Sequence, residues 1–253
     1  MVYGIHAVTE LLATRPEQIG HIYFEADVRS GQLFELLKQC RKLRLPYTHV
    51  PRTKLFEVAG CDKHQGVVAS CNVKSYADMD EVEQRISASA SPLLLVPASI
   101  EDPRNLGALA RTATAFGVDA ILLERRNTAP LTASVAKASA GMIEHVLIAR
   151  PRSLEGAVKE YRERGFAVVG AEAGEYPHPS QVDFAGPTVI VLGGENRGIP
   201  PYLLKLCTSC TSIPLPAHVP SLNVSVAGAI LLYECSVQRR GSRPDSASRS
   251  LPG

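Results

Sequence analysis

Residues 188–199 read TVIVLGGENRGI, and residues 211–234 read TSIPLPAHVPSLNVSVAGAILLYE. In the first stretch the apolar run Val189, Ile190, Val191, Leu192 stops on Gly193-Gly194-Glu195-Asn196-Arg197-Gly198. An apolar, β-branched run bounded by glycines predicts a buried strand feeding a loop whose backbone a ligand can approach closely. In the second stretch a short strand is expected around Ser212-Ile213, then a proline-rich loop. A helix from Leu222 to Glu234 follows, with Ser221 as its N-cap. That helix is apolar almost all round, which predicts burial on nearly every side. Its first turn is nevertheless polar at Ser221, Asn223 and Ser225, and capping explains Ser221 alone. Two such loops beside a helix start are the parts of a small-molecule pocket.

Upstream, strands and helices alternate from Pro92 onward. Strands are expected at 93–96, 120–123, 145–148 and 166–169, and helices at 105–116, 131–138 and 154–164. This rhythm predicts a largely parallel sheet with helices on both faces and its ligand outside the carboxyl ends of the strands. Residues 1–74 form a smaller α/β unit, with helices at 3–12, 32–43 and 53–59 and strands at 21–24, 46–50 and 66–71. Between the two units lies an acidic and then Ser/Ala-rich segment, 75–91, read as a linker with a turn or two of helix. Residues 241–253 (GSRPDSASRSLPG) have the composition of a disordered tail.

The chain has 253 residues, 45% hydrophobic and 21% charged, with a net charge of +2. That excludes a bulk polycation, although residues 1–74 carry ten Lys/Arg against seven Asp/Glu, a mild basic bias that suits nucleic acid. No secretory signal and no apolar stretch of the roughly 20 residues that a membrane span needs can be read, so a cytoplasmic protein away from membranes is expected. The six cysteines are scattered, as for reduced thiols. Cys207-x-x-Cys210 has no second pair to complete a zinc site, so no metal is expected, and the two thiols read as small apolar groups.

Three constellations remain. Asp102-Pro103-Arg104-Asn105-Leu106-Gly107 opens a helix that Asn105 is placed to cap, with Arg111 about 140° around the wheel from Leu106. The Gly193–Gly198 loop is neither a G-x-G-x-x-G fingerprint nor a P-loop, which argues against a nicotinamide oxidoreductase. The third is Ile213-Pro214-Leu215 followed by Ser221-Leu222-Asn223-Val224-Ser225-Val226-Ala227. Taken in order, N-x-G-x-x-x-R-T-A, G-G-E-x-x-G-I and I-P-L…S-L-N-V-S-V-A resemble the three motifs of the SpoU (TrmH-like) ribose 2′-O-methyltransferases of the SPOUT superfamily. Gly4-Ile5-His6-Ala7-Val8, His64-Gln65-Gly66-Val67 and Lys137-Ala138-Ser139-Ala140-Gly141 are similar to blocks of the branch that methylates a guanosine of large-subunit (23S) rRNA.

The resemblance implies an N-terminal α/β RNA-binding domain of a type seen in ribosomal proteins (1–74), and a SPOUT methyltransferase domain (92–240) with a C-terminal trefoil knot. It implies S-adenosylmethionine as cofactor, RNA as substrate, and a homodimer. Carried over by motif, Gly193, Ile213, Leu215 and Leu222 would line the cofactor pocket. Asn105, Arg111, Glu195, Ser221 and Asn223 would form the catalytic, RNA-facing set. Tyr3, His6, Arg41, Lys42, Arg44, Arg52, Lys54, Lys63 and His64 are further candidates to meet RNA. One departure stands out: Ala217 occupies a position where the family usually has Gly. If that position needs a positive φ, alanine costs on the order of 1 kcal/mol there. A tRNA guanosine as substrate, or a catalytically silent RNA-binding protein on the same fold, are the alternatives.

Overall fold

The computed structural model describes residues 1–27, 30–72, 74–194, 198–216 and 218–241. Glu195, Ala217 and the expected tail beyond Gly241 lie outside the described residues. The first sheet has four strands, β1 (Val2–Tyr3), β2 (Ile19–Glu25), β3 (Tyr47–Val50) and β4 (Val67–Cys71), in the order β1-β4-β2-β3. β2 is parallel to β3 and antiparallel to β4, which is antiparallel to β1. The two-residue β1 takes Tyr3 out of the helix expected there. Gly4, at φ 94°, then turns the chain into α1 (Ile5–Thr14). Period-2 alternation along β2 puts Ile22 and Phe24 into the core with α1 and α2 (Gly31–Lys42), leaving His21 and Tyr23 half-buried on the other face. Toward that other face α3 (Arg52–Ala59) buries Leu55.

The segment expected as a linker carries α4 (Met79–Ser87), started by a capping box of Asp78 and Glu81. Its apolar residues Val82 and Ile86 are buried against the second sheet. That sheet has six strands, all neighbours parallel: β5 (Leu93–Pro97), β6 (Ala120–Leu122), β7 (Leu147–Ala149), β8 (Ala167–Ala171), β9 (Thr188–Leu192) and β10 (Ser209–Thr211), in the order β10-β8-β9-β5-β6-β7. β5 and β9 are buried at every residue, as strands covered on both faces must be. Leu93, Leu95, Ile190 and Leu192 face α5 (Pro103–Ala115), α6 (Ala133–Ala138) and α9 (Val224–Gly241). Leu94, Val96, Val189 and Val191 face α4, α7 (Leu154–Glu163) and α8 (Pro201–Leu204). Each such side chain contributes on the order of 1.5–3 kcal/mol when fully buried.

Close helix contacts depend on missing β-carbons. A Cβ at Gly107 of α5 would lie 2.5 Å from Ala138 Cβ and 2.8 Å from the Val135 carbonyl of α6. One at Gly228 of α9 would lie 2.5 Å from Leu109 Cδ2 of α5. At its far end α9 is held by Arg239, whose guanidinium donates to the Ser91, Phe184 and Gly186 carbonyls at 2.6, 2.9 and 2.9 Å.

Four local expectations are corrected. The strand expected at Ser212-Ile213 is β10, Ser209–Thr211, because the ladder to β8 ends at Thr211 and the Ser212 N–H donates instead to the Pro177 carbonyl. α9 starts at Val224 and its cap is Asn223, whose Oδ1 accepts the Ser225 N–H at 2.9 Å, so Ser221 is not the cap. α5 is capped by Asp102, which accepts the Arg104 N–H at 2.8 Å, so Asn105 lies one turn inside the helix. Lastly, α9 is not buried on nearly every side. Val226, Ile230, Tyr233 and Val237 form a stripe at helical spacing, exposed by 47, 37, 59 and 44%. α5 and the sheet cover only the opposite side of the helix.

Candidate active site

The carboxyl ends of β8, β9 and β10, with the first turns of α9, enclose a cavity of about 690 Å³. This lies in the roughly 300–1,000 Å³ range of cofactor sites. Gly193, Ile213, Leu215, Leu222 and Ser221 all line it. Its walls include the apolar Leu192, Ile213, Leu215 and Leu222, and the segment after β10, Ser212 to Pro216, runs along it. Gly193 is there of necessity. A Cβ on it would sit 2.3 Å from the carbonyl carbon of Gly198, where the loop folds back so that the Gly194 N–H donates to the Gly198 carbonyl at 3.2 Å. Behind the loop, Glu124 accepts the Ser99 N–H at 3.2 Å and the Tyr202 hydroxyl. Burial, and then that carboxylate, push the Tyr202 phenol well above its ordinary range.

Glu172 is the residue that the motifs did not reveal. It is the acidic side chain lining the cavity among the described residues, and its Oε1 accepts the Ile199 N–H at 2.7 Å. The carboxylate thus ties the end of β8 to the far end of the β9 loop. The available signal was an acidic residue at the carboxyl end of a parallel strand, a place where ribose-binding acids recur.

Asn105, Arg111 and Asn223 do not line the cavity. Asn105, only 9% exposed, is joined to Asn223 across the α5–α9 contact, with Asn223 Nδ2 donating to Asn105 Oδ1 at 3.0 Å. Because Asn223 Oδ1 accepts the cap N–H of Ser225, the amide orientations follow in sequence, and Asn105 Nδ2 is left as a donor. Arg111 projects from α5 as an exposed side chain and makes no ion pair with a described residue. Glu195 lies outside the described residues.

The two N-terminal blocks and the block at Lys137–Gly141 converge on one seam between the two sheets. Gln65 Oε1 accepts the Ile5 N–H at 3.2 Å and the Lys137 ammonium. Gly141, at φ 82°, lies so close to α1 that a Cβ would be 2.6 Å from Glu10 Cβ. His64 is fully buried, with Nδ1 accepting the Gly66 N–H at 3.1 Å, and burial lowers its pKa. It shapes the turn and cannot meet RNA. Cys207 and Cys210 lie together beside Gly170, with Cys207 Sγ donating to the Leu203 carbonyl at 3.6 Å, and burial pushes the Cys207 thiol up to about 12, the reverse of a reactive thiol.

Comparison with known proteins assigns the family. The model for the SpoU rRNA Methylase family matches residues 92–233, and one described as RNA 2′-O ribose methyltransferase substrate binding matches residues 1–77. TrmH family proteins named as tRNA/rRNA methyltransferases, from Staphylococcus saprophyticus and Staphylococcus haemolyticus, are 33% and 34% identical over 92% of this chain and 94% of theirs. The chain belongs to the SpoU rRNA methylase family. Among solved structures, the SpoU methyltransferase AviRb of Streptomyces viridochromogenes, in complex with AdoMet, superposes with a TM-score of 0.77 at 23% identity, over 96% of this chain and 91% of that one. The AdoMet-bound rRNA methyltransferase of Sinorhizobium meliloti gives 0.76 at 22% identity, over 96% and 87%. These two show a shared fold. No helix among the described residues is long and apolar enough to cross a membrane.

Proposed function

We propose that this chain is an S-adenosylmethionine-dependent RNA methyltransferase that modifies a ribose 2′-OH, on a guanosine of large-subunit (23S) rRNA, as a cytoplasmic homodimer. The observation that carries this reading is the cavity at the carboxyl ends of β8–β10. It draws Gly193 from the loop after β9, and Ile213, Leu215 and Leu222 from the segment between β10 and α9, onto one surface. Its size and its apolar side chains suit an adenosine with an amino-acid tail. The glycine that closes the β9 loop leaves no room for a side chain. When bound, that cofactor supplies a methyl group activated by its sulfonium.

The chain's own residues then have to place one hydroxyl and manage one proton. Holding the hydroxyl in a near-attack geometry is worth several kcal/mol. Asn105 Nδ2, fixed by Asn223, is a preset donor at the edge of the site. Arg111, exposed on the same helix, meets the RNA side. A guanidinium holds its proton too firmly to serve as a base, so its role is to orient the hydroxyl and stabilise developing alkoxide charge. Ser221 and Asn223 hold the target ribose, and Glu195 orients Arg111. The dimer is supported by the exposed stripe of α9. The trefoil knot is supported by the chain path, since the loop after edge strand β10 returns α9 to central strand β9. The ribosomal substrate is supported by the additional N-terminal sheet. The TrmH/SpoU tRNA modifying enzyme of A. aeolicus, at TM-score 0.54 and 26% identity, covers only 64% of this chain.

The test is incubation with methyl-labelled cofactor and, in parallel, unmodified large-subunit rRNA and tRNA, with the label mapped by resistance of the adjoining linkage to alkali. Alkali-resistant label in rRNA alone is expected. Label in tRNA alone overturns the substrate, and absence of both label and cofactor binding overturns the enzyme.

A further inference from the structure

The first sheet has two unlike faces. One is packed under α1 and α2. On the other, His21 and Tyr23 stand side by side along β2, half-buried, with ring centroids 4.7 Å apart and planes at 51°. His21 Nε2 lies 2.8 Å from the hydroxyl of exposed Thr48 on β3, which fixes the imidazole. Val68 on β4, opposite Tyr23, is fully buried, so the phenol rests on an apolar floor. Aromatic rings in sheets ordinarily stabilise by pairing across strands. These two share one strand, and among the described residues their only ring contact is with each other. At the rim, α3 supplies Arg52 and Lys54, both exposed. Half-buried rings beside two exposed cations, whose present partners are surface carboxylates (Arg52 with Glu25 at 3.6 Å, Lys54 with Glu57 at 2.8 Å), complement unpaired bases and their phosphates. A duplex keeps its bases stacked within itself and offers such rings nothing.

We propose that this face is a stacking platform for single-stranded RNA, with unpaired bases of the substrate lying on Tyr23 and His21 and the flanking phosphates on Arg52 and Lys54. It rests on the reading of the N-terminal sheet as the RNA-binding part, and names the form of RNA it takes. Tyr3, which pairs with Val68, lies on the same face at the β1 edge, and the next residue, Gly4, packs against Lys137 of the catalytic half.

The test uses the full chain and fluorescence anisotropy at fixed salt. The probes are a short labelled single-stranded oligoribonucleotide and the same strand annealed to its complement. Tyr23→Leu keeps the apolar contact with Val68 and removes the aromatic ring. It should weaken single-strand binding by about tenfold or more, while Tyr23→Phe leaves it unchanged. His21→Ala should weaken it less, and duplex binding should not move in any variant. Thermal melting checks that each variant is folded. Calorimetric titration of S-adenosylmethionine reports separately on the methyltransferase reading, which fails if the wild type takes up no cofactor. The platform is overturned if folded Tyr23→Leu and His21→Ala bind the single strand like the wild type. It is overturned equally if the wild type does not bind the single strand, or if single strand and duplex weaken together.

Discussion

The two sheets solve opposite problems. The six-stranded sheet is covered on both faces, and all that it offers a ligand is the rim where β8, β9 and β10 end. The four-stranded sheet is covered on one face and half open on the other. A rim with glycine loops can enclose a small molecule and exclude water. A pleated face can only be laid against something broad. The proposed division between cofactor and polymer therefore follows from how many helices each sheet receives. The two sheets are joined by polar contacts. Arg15 Nη2 lies 2.8 Å from Glu144 Oε1, and His145 Nε2 2.6 Å from Glu10 Oε2. Lys74 donates to the Ile143 and Val146 carbonyls.

The strongest way to sharpen the contrast is to stop chemistry at the rim without disturbing the pocket. Arg111→Ala should lower kcat by roughly 10²–10³ while calorimetric affinity for S-adenosylmethionine stays at the wild-type value. Equal loss of both would assign Arg111 to the pocket and remove its proposed role. Glu144→Gln tests whether the two sheets act as one body. The side chains of Arg15 and Glu144 are 17% and 4% exposed, so the substitution strands a buried guanidinium at a cost of about 3 kcal/mol. Denaturant unfolding should shift to a lower midpoint and split into two transitions. A single unshifted transition would show that the seam contributes no coupling.

Much of this was legible in the sequence, for reasons that vary by element. β5 and β9 announce themselves because a strand buried on both faces must be an unbroken apolar run. β10 does not, because Ser209-Cys210-Thr211 is an edge strand of small polar residues while Ile213 and Leu215, which look more strand-like, line the cavity. The cap assignments slipped because several candidate capping residues crowd each helix start, and only geometry says which carbonyl begins the helix. α9 misled because sequence records that a face is apolar, not whether this chain or another molecule covers it. Glu172 was invisible for a different reason. Its partner, the Ile199 N–H, is 27 residues away and becomes a neighbour only when β8 pairs with β9. Glu172→Ala leaves that amide without its acceptor, and should weaken cofactor binding by about tenfold or more, the worth of one hydrogen bond to a charged group. Unchanged affinity would return Glu172 to the loop scaffold.

The smallest expected effect examines the seam through pH. Lys74 is half-buried where the two sheets meet, and loss of hydration lowers its pKa from 10.5 to about 8, with Glu144 and Glu81 opposing the fall and Arg15 adding to it. Below about 8 the group is charged in both states, its desolvation penalty is present in full, and stability does not change with pH through it. Between 8 and 10.5 the folded chain has released a proton that the unfolded chain still holds. Unfolding then takes up a proton, and stability rises with pH by at most about 1.4 kcal/mol per unit. Groups of the opposite sense enter higher up. Burial raises the Cys40 thiol from 9.0 to about 11 and the Cys207 thiol to about 12, so the folded chain keeps protons that the unfolded chain loses and stability falls. The interval from about 8 to 9 is therefore where Lys74 acts against the least opposition. Urea midpoints across it should rise for the wild type and stay level for Lys74→Met. Parallel curves would mean that water reaches the ammonium and that the seam between the sheets is wetter than its contacts imply.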